Sequence, residues 1–274
     1  MSTAERACSR ALAALTLGWS DSRRGRAFLR RTLKRLVRLA LLARSRPLRP
    51  ESLAPVLVIA PHPDDESLGC GGTVALVARK TDRLHVVFIT DGGASHPNHP
   101  RVTPVDLAAL RKSEAYSATR ALGIGPERLT FLDARDGTLS SLDDREGREL
   151  AEKISGLLLR LAPRTVLLPC RNDGSSEHEA AFSLVVRALG DTKPRPRLLE
   201  FPVWSWWNPL LLLRSMRGYP SVWRVELGDA IGAKALAVAA YASQSSPIPP
   251  ESTSALPPGF VQMFLGNEEF LLEK

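Results

Sequence analysis

The residues best suited to chemistry lie in one stretch, Pro61–Cys70, which reads PHPDDESLGC. His62 is followed by three successive acids, Asp64, Asp65 and Glu66. Like charges held side by side repel, and a bound cation offsets that cost. Imidazole nitrogen and carboxylate oxygen are both good ligands for Zn2+, and a catalytic zinc site needs about three of them plus an open position for water. A second polar cluster, Arg171-Asn172-Asp173-Gly174-Ser175-Ser176-Glu177-His178-Glu179, holds a further histidine. Taken alone, His178 at a helix start reads as a cap or a surface residue. Carried by the fold to the first cluster, it reads as a metal ligand.

Such a meeting depends on the elements around the two clusters. Val56–Ala60 is a short apolar run that predicts a buried strand ahead of the PHPDDE turn, and a helix continues through Thr73–Arg79. A second strand is expected at Leu84–Ile89, running into Thr90-Asp91-Gly92-Gly93. A helix from Asp106 to Leu122 is stopped by Gly123. Then come a short strand at Leu129–Leu132, a helix at Arg145–Leu161, a strand at Thr165–Leu168 and a helix at Ser176–Leu189. This βαβα rhythm predicts an α/β protein with a Rossmann-like, mostly parallel sheet and helices on both faces. The C-terminal ends of parallel strands share one edge, so loops distant in sequence can meet there over a single ion.

Beyond Pro194 the alternation changes. Strands are expected at Arg197–Phe201 and Ser221–Glu226, with a helix at Gly228–Tyr241. A Trp-rich insert near 203–220 holds Trp204, Trp206 and Trp207. These suit a packed lid, a subunit contact, or an aromatic wall for a ligand ring such as a sugar. The tail from Ser243 is rich in Pro and Ser as far as Pro258, then turns apolar at Phe260–Leu265. Dinucleotide binding is disfavoured, because Gly69–Thr73 lacks GxGxxG spacing and follows acids that repel a pyrophosphate.

At 274 residues and 44% apolar content the chain can bury one substantial core with a small appendage. The expected division is a basic, partly helical extension over 1–50 and one α/β domain over 51–274. Cys8, Cys70 and Cys170 make neither a disulfide scaffold nor a CxxC site, and a cytoplasmic protein is expected. Of the net charge of +8, residues 1–50 hold thirteen Arg or Lys against two acids, so the remainder is net acidic. No apolar run reaches the length of a spanning helix. Ala11–Trp19, behind Arg6 and Arg10, is the one candidate signal-peptide core. Residues 26–43 predict an amphipathic helix, with Leu29, Leu33, Leu36, Val37, Ala40 and Leu41 on one face and Arg30, Arg31, Lys34, Arg35 and Arg38 on the other. It suits packing on the core or on a second subunit of a homo-oligomer, or peripheral contact with anionic lipid. Nucleic acid is disfavoured, since no base-reading motif accompanies the charge.

Taken together, these motifs resemble the PIG-L/LmbE family of zinc-dependent de-N-acetylases. Pro61–Glu66 resembles the family's (A/P)HPDDE signature, continued by Gly69–Thr73. Thr90–Gly93, RxxE at Arg111–Glu114, Ala121–Gly123, Asp136–Leu139 and the KxxA…YxSQ pattern at Lys234–Gln244 extend the similarity over residues 54–245. The resemblance implies a metal held by His62, Asp65 and His178, with Asp64 as general base on the metal-bound water. Zinc lowers the pKa of its water and polarises an amide carbonyl, and a carboxylate that does not ligate can take the proton and return it to the departing amine. Arg111, Asp136, Asp91 and His96 are the candidate substrate-binding residues. For Arg111 the plain alternative is a surface pair with Glu114.

One departure stands out. Where many members of the family read HxDH, this chain has Ser175-Ser176-Glu177-His178, so Ser175 stands where a histidine would help stabilise an oxyanion. A hydroxyl donates a hydrogen bond but carries no positive charge at neutral pH. Arg171, His96 and His99 are candidates to supply one, and Ser175 and Arg171 join Asp64 as catalytic candidates. The implied activity is removal of an acetyl group from an N-acetylated amino sugar or glycoconjugate, small or lipid-linked. The alternatives are an amidase acting on a non-sugar N-acyl compound and a catalytically weak metal-binding paralogue.

Overall fold

Short apolar runs form the strands, and longer segments with apolar residues at helical spacing form the helices between them. The structure, a computed structural model, describes residues 23–190 and 192–274, with side chains from residue 32 onward. The candidate signal-peptide core Ala11–Trp19 lies outside the described residues. In chain order the first elements are α1 (Arg23–Arg44), β1 (Ser45–Pro47), β2 (Val56–Ala60), α2 (Asp65–Ala78), β3 (Leu84–Thr90) and α3 (Pro104–Ala121). Next come β4 (Leu129–Ala134), α4 (Asp144–Leu161), β5 (Thr165–Pro169), α5 (Ser176–Leu189) and β6 (Arg197–Phe201). The last are α6 (Trp204–Trp207), α7 (Pro209–Met216), β7 (Ser221–Glu226), α8 (Ala230–Ala240), α9 (Ala242–Ser245) and β8 (Glu268–Glu273).

The described residues divide into two units between Ala43 and Arg44. Within the first, helix α1 buries Val37 and Leu41 but leaves Leu36 56% and Leu39 60% exposed. The sequence pattern placed Leu36 beside Val37, but adjacent residues on a helix point about 100° apart, so the apolar stripe is wider than the face that is covered. Among the described residues no helix is long and apolar enough to cross a membrane.

In the second unit the sheet order is β1-β7-β8-β6-β5-β2-β3-β4. All the strands run parallel except β8, which lies antiparallel between β6 and β7. Alternate residues of each buried strand feed opposite layers. Val56, Val58 and Ala60 pack with Leu68, Val74, Ala118 and Val238 from α2, α3 and α8. Leu57 and Ile59 pack with Leu150, Ile154, Ala181 and Val185 from α4 and α5. The chain leaves β2 for β3 on one side, while β5 flanks β2 on the other, so β2 and β5 border a topological switch point. Capping boxes at Thr103/Asp106 and Asp143/Glu146 start α3 and α4 slightly ahead of the residues expected from periodicity.

Helix α2 carries the acidic signature and is not a regular helix. Cys70 departs from helical geometry (φ −144°, ψ 19°), which breaks one turn of its hydrogen-bond ladder. The amides released there, Gly72 N and Thr73 N, donate to Glu269 of β8 at 2.8 and 2.7 Å. Lys234 of α8 donates to the Leu68 carbonyl at 2.9 Å and to Glu269 at 2.6 Å. A buried ion pair thus replaces the missing turn and ties α8 and β8 to the helix behind the acidic signature. The Gly69 position is also spoken for, since a Cβ there would lie 2.1 Å from the Phe201 ring. Breaking the pair with Glu269→Leu should destabilise the protein by about 3–5 kcal/mol, and adding Lys234→Met should recover part of the loss. Urea unfolding of the two variants reads both effects.

Candidate metal centre

Strand β2 is followed by Pro61, whose carbonyl accepts from Thr90 N at 2.9 Å and Thr90 Oγ1 at 2.8 Å, fixing the strand end against β3. The chain then turns through His62 and Pro63 to Asp64, which has φ 141°, a backbone conformation rare for a residue with a side chain. That turn sends consecutive acids in different directions. Asp65 enters the first turn of α2, while His178 arrives from the first turn of α5 across the switch point.

His62, Asp65 and His178 present ligand atoms that all lie within 4.8 Å of one another. Asp65 Oδ2 lies 3.2 Å from His62 Nδ1, and Asp65 Oδ1 lies 3.3 Å from His178 Nε2. His178 Nδ1 donates to Asp173 Oδ2 at 2.8 Å. Nδ1 therefore carries a hydrogen; in the neutral ring Nε2, fully buried and without a hydrogen-bond partner, would be a lone pair opposed to a carboxylate, and the ring avoids this by holding a second proton unless a metal ion takes its place. A cation between them resolves that opposition. Two imidazole nitrogens and a carboxylate oxygen are the donor set of a catalytic zinc site, and the cluster is able to chelate a divalent metal such as zinc.

The electrostatics carry the same demand for positive charge. Burial pushes the Asp65 carboxyl up, but the charge and hydrogen bond of His178, joined by those of His62, hold it well below the usual carboxylate range. Burial pulls His178 down, yet Asp65 and Asp173 outweigh it and raise the ring to about 10. For His62 burial is likewise outweighed, by Asp136 and Asp65, and the ring rises to about 9. Each imidazole is therefore held where a positive charge is favoured.

Asp136, on the loop after β4, meets His62 Nε2 at 3.2 Å. A second set of potential ligands, His62, Asp136 and Glu177, shares that ring. A neutral imidazole that ligates through Nδ1 carries its hydrogen on Nε2, so Asp136 is placed to accept it and to orient the ring. Asp91 lies one step further back, accepting from Gly93 N at 2.9 Å and Asp136 N at 3.2 Å. Asp173 plays the matching part for His178. Fully buried, it also accepts from Val203 N, Trp204 N, Ser205 N and Ser205 Oγ at 2.7–3.0 Å.

Asp64 belongs to neither ligand set. Burial raises its carboxyl to about 7, against the opposing pull of Arg111. Arg111 Nη2 lies 3.2 Å from Asp64 Oδ2 and also donates to the Pro63 carbonyl. Arg111 is thus buried on the site and not a surface partner of Glu114. Gly92 (φ +70°) makes room for it, since a Cβ there would stand 2.8 Å from Arg111 Cδ and Nε.

His62, Asp64, Asp65, Arg111, Asp136 and Ser175 line one cavity of about 310 Å³. Its apolar wall is Leu68, Val203, Trp204, Leu256 and Phe260, with Trp204 and Phe260 4.8 Å apart between ring centroids. The structure does not bring Arg171, His96 or His99 to this cavity. Arg171 is drawn to the buried Glu200, with Nε donating to Oε1 at 3.0 Å, and its guanidinium stacks on Phe182. His96 is buried against Ser243 and Glu251, and the half-buried His99 is bonded to the Ile248 carbonyl. The expectation that one of them supplies charge beside Ser175 is therefore corrected: each is committed to a partner that the sequence did not reveal. Asp173, Gln244, Leu256 and Phe260 were not among the site residues expected from the sequence. Asp173 stood in the second polar cluster, but nothing local marked it above its neighbours.

With this geometry in hand, likeness to known proteins becomes informative. Residues 57–189 match the family described as PIG-L, GlcNAc-PI de-N-acetylase. The chain matches this family's model over just under half of its length. It is 32% identical over 153 residues to a probable N-acetyl-alpha-D-glucosaminyl L-malate deacetylase 2 of Bacillus subtilis (strain 168), covering 53% of this chain and 65% of that protein. The counterpart in Bacillus anthracis is covered to 58% of its length, so the chain spans less than two thirds of these relatives. The N,N'-diacetylchitobiose deacetylase of Pyrococcus horikoshii has the same fold, with a TM-score of 0.56 at 20% identity over 77% of this chain and 78% of that one. A 4-carboxy-2-hydroxymuconate hydratase of Pseudomonas putida KT2440 shares it too, with a TM-score of 0.55 at 20% identity over 69% and 79%. The fold alone thus does not name the reaction.

Removing the partner that orients His178 tests the centre directly. Asp173→Ala should weaken zinc affinity by about 10–100-fold. Competition with a chromophoric chelator measures the change.

Proposed function

We propose that this protein is a zinc-dependent hydrolase that removes the acetyl group from an N-acetylated amino sugar or a conjugate of one. The observation that carries this reading is a His62/Asp65/His178 cluster able to hold a metal beside a carboxylate, Asp64, that belongs to no such cluster, with His62, Asp64 and Asp65 lining one cavity. The Bacillus and Pyrococcus relatives, named as deacetylases of N-acetylated sugars, point to the same substrate class.

Bound at this centre, zinc supplies a Lewis acid that acidifies water and polarises an amide carbonyl. Asp64 is the general base: an Oδ atom takes the proton of the attacking water and returns it to the amine nitrogen as the C–N bond breaks. Arg111 keeps Asp64 oriented through Oδ2. The Ser175 hydroxyl is not spent on capping α5 and donates to the amide oxygen as charge builds there. Asp136 holds the His62 ring and offers its remaining acceptor capacity to a sugar hydroxyl. Trp204 and Phe260 present apolar faces to a sugar ring and exclude water.

A finer reading is a lipid-linked amino sugar met at a membrane surface. It is supported by helix α1, whose sequence has nine basic residues and no acid, together with the exposed Leu36 and Leu39. Sedimentation of the full chain with anionic but not zwitterionic vesicles is the result this finer reading requires.

The main proposal is tested by purifying the protein and its Asp64→Asn variant without chelator, then measuring bound metal and released acetate. About one zinc per chain is expected in both. Acetate release from N-acetyl sugars should fall by about 10²–10⁴-fold in the variant. Acetate from the unmutated protein only with non-sugar amides would transfer the proposal to the amidase alternative. Metal in both proteins with acetate from neither would remove the hydrolase.

A further inference from the structure

The segment from Ser243 to Phe260 supplies four cavity-lining residues, Gln244, Ala255, Leu256 and Phe260, yet almost all of it lies outside helices and strands. Apart from α9 at its start it has no ladder of its own to hold it over the site. Its position depends on partners elsewhere, and three of them come from a single loop that follows β3.

In that loop, Ser95 Oγ accepts from Gln244 Nε2 at 3.1 Å. His96 Nε2 donates to the Ser243 carbonyl at 2.9 Å, and its Nδ1 meets Glu251 Oε2 at 2.5 Å. His99 donates from Nε2 to the Ile248 carbonyl at 3.2 Å. Its Nδ1 accepts from Arg101 N and Val102 N, which settles which nitrogen carries the hydrogen. Glu114 of α3 completes the attachment, accepting from Ser243 N at 2.8 Å and Ser243 Oγ at 2.6 Å. The segment then closes on itself through Leu256 N and the Gln244 carbonyl at 2.9 Å. Phe260 is seated against Trp204, Trp207 and Phe264.

Two facts set the histidines apart from ordinary packing residues. His96 is almost fully buried, so both ring nitrogens are committed to the segment and neither is available to substrate. The same loop faces the metal centre from its other end, where Ala94 N donates to Asp136 Oδ2 at 2.9 Å. One loop therefore fixes both the residue that orients His62 and the segment that forms the opposite wall of the cavity.

We propose that His96 and His99 are positioning residues for substrate recognition: they button the Ser243–Phe260 segment to the loop after β3 and so set the shape of the cavity without touching what binds there. This rests on the cavity being the substrate site of the hydrolase proposed above. Losing a button lets Gln244, Leu256 and Phe260 drift from the metal centre. The consequence is weaker binding in ground and transition state alike, with the reacting groups in the turn after β2 and on α2 and α5 left in place.

The test uses the full chain carrying His96→Ala, and separately Glu251→Gln, which keeps the shape of a partly exposed side chain while removing its charge. Amide hydrogen exchange in 243–256 should speed up by about tenfold or more in His96→Ala and by less in Glu251→Gln, with β2 and β3 unchanged. Bound zinc should stay the same. The KM for an N-acetyl amino sugar should rise by about tenfold with kcat within about twofold. Unchanged exchange in both variants would overturn the proposal, and so would a fall in kcat at constant KM. Should the unmutated protein release no acetate from any sugar, the hydrolase reading falls, while the exchange measurement still decides whether the histidines hold the segment.

Discussion

Three consecutive carboxyl groups, Asp64, Asp65 and Glu66, are buried within one turn of chain, and much of the surrounding structure serves to make that tolerable. Each is compensated by a different set of groups. Asp65 lies between the rings of His62 and His178. Asp64 faces Arg111 from α3. Glu66, whose carboxyl burial raises, accepts from Tyr241, from Ser67 and from the Asp64 amide. Burying like charges side by side is costly, so separate partners on separate elements are what allow three acids to take three distinct parts. The unusual φ of Asp64 is the local cost of pointing them apart.

The second constraint is topological. Because β2 and β5 are neighbours while their chains depart in different directions, the turn carrying His62 and the helix start carrying His178 meet at one edge of the sheet. Around that meeting the protein has built a ring of orienting groups, with Asp136 on one histidine and Asp173 on the other. Below it, the broken turn in α2 is held by Lys234 and Glu269, so the C-terminal strand contributes to the precision of the metal centre from the far side of the helix. Above it, the Pro-rich segment after α9 forms a wall that depends on the loop after β3. Rigid elements carry the ligands, and a tethered irregular segment shapes the cavity. Rigid elements hold reactive groups in place, while an irregular segment sets the shape of the space in front of them.

The strand positions β2, β6 and β7 were legible from apolar pattern alone, as were the helix boundaries of α5 and, within a residue or two, of α3, α4 and α8. Two strands were not. β1 is three residues containing a proline, too short to register as a strand in sequence. β8 opens with two acids, one of them buried, and its partners Lys234, Gly72 N and Thr73 N explain why Glu269 is there. That two polar clusters meet was readable, because histidine and carboxylates gather at two strand ends and the parallel-sheet rule brings such ends together; which of them would ligate came only from the resemblance to a known family. The charge beside Ser175 was not, because Arg171, His96 and His99 have the right chemistry in nearby loops and only their partners decide where they turn.

What the sequence determined by itself was local: which residues alternate as strands, where helices start and stop, and which groups are able to bind a divalent ion. These depend on neighbours a few positions away, which a single chain displays openly. The tertiary structure decided direction and commitment. Asp173 became the support of His178, and Asp136 that of His62. Arg111 turned inward to Asp64 and Arg171 turned away to Glu200, while His96 was taken up by a segment about 150 residues later in the chain. A polar side chain goes to whichever partner satisfies it best, and those partners lie far off in sequence.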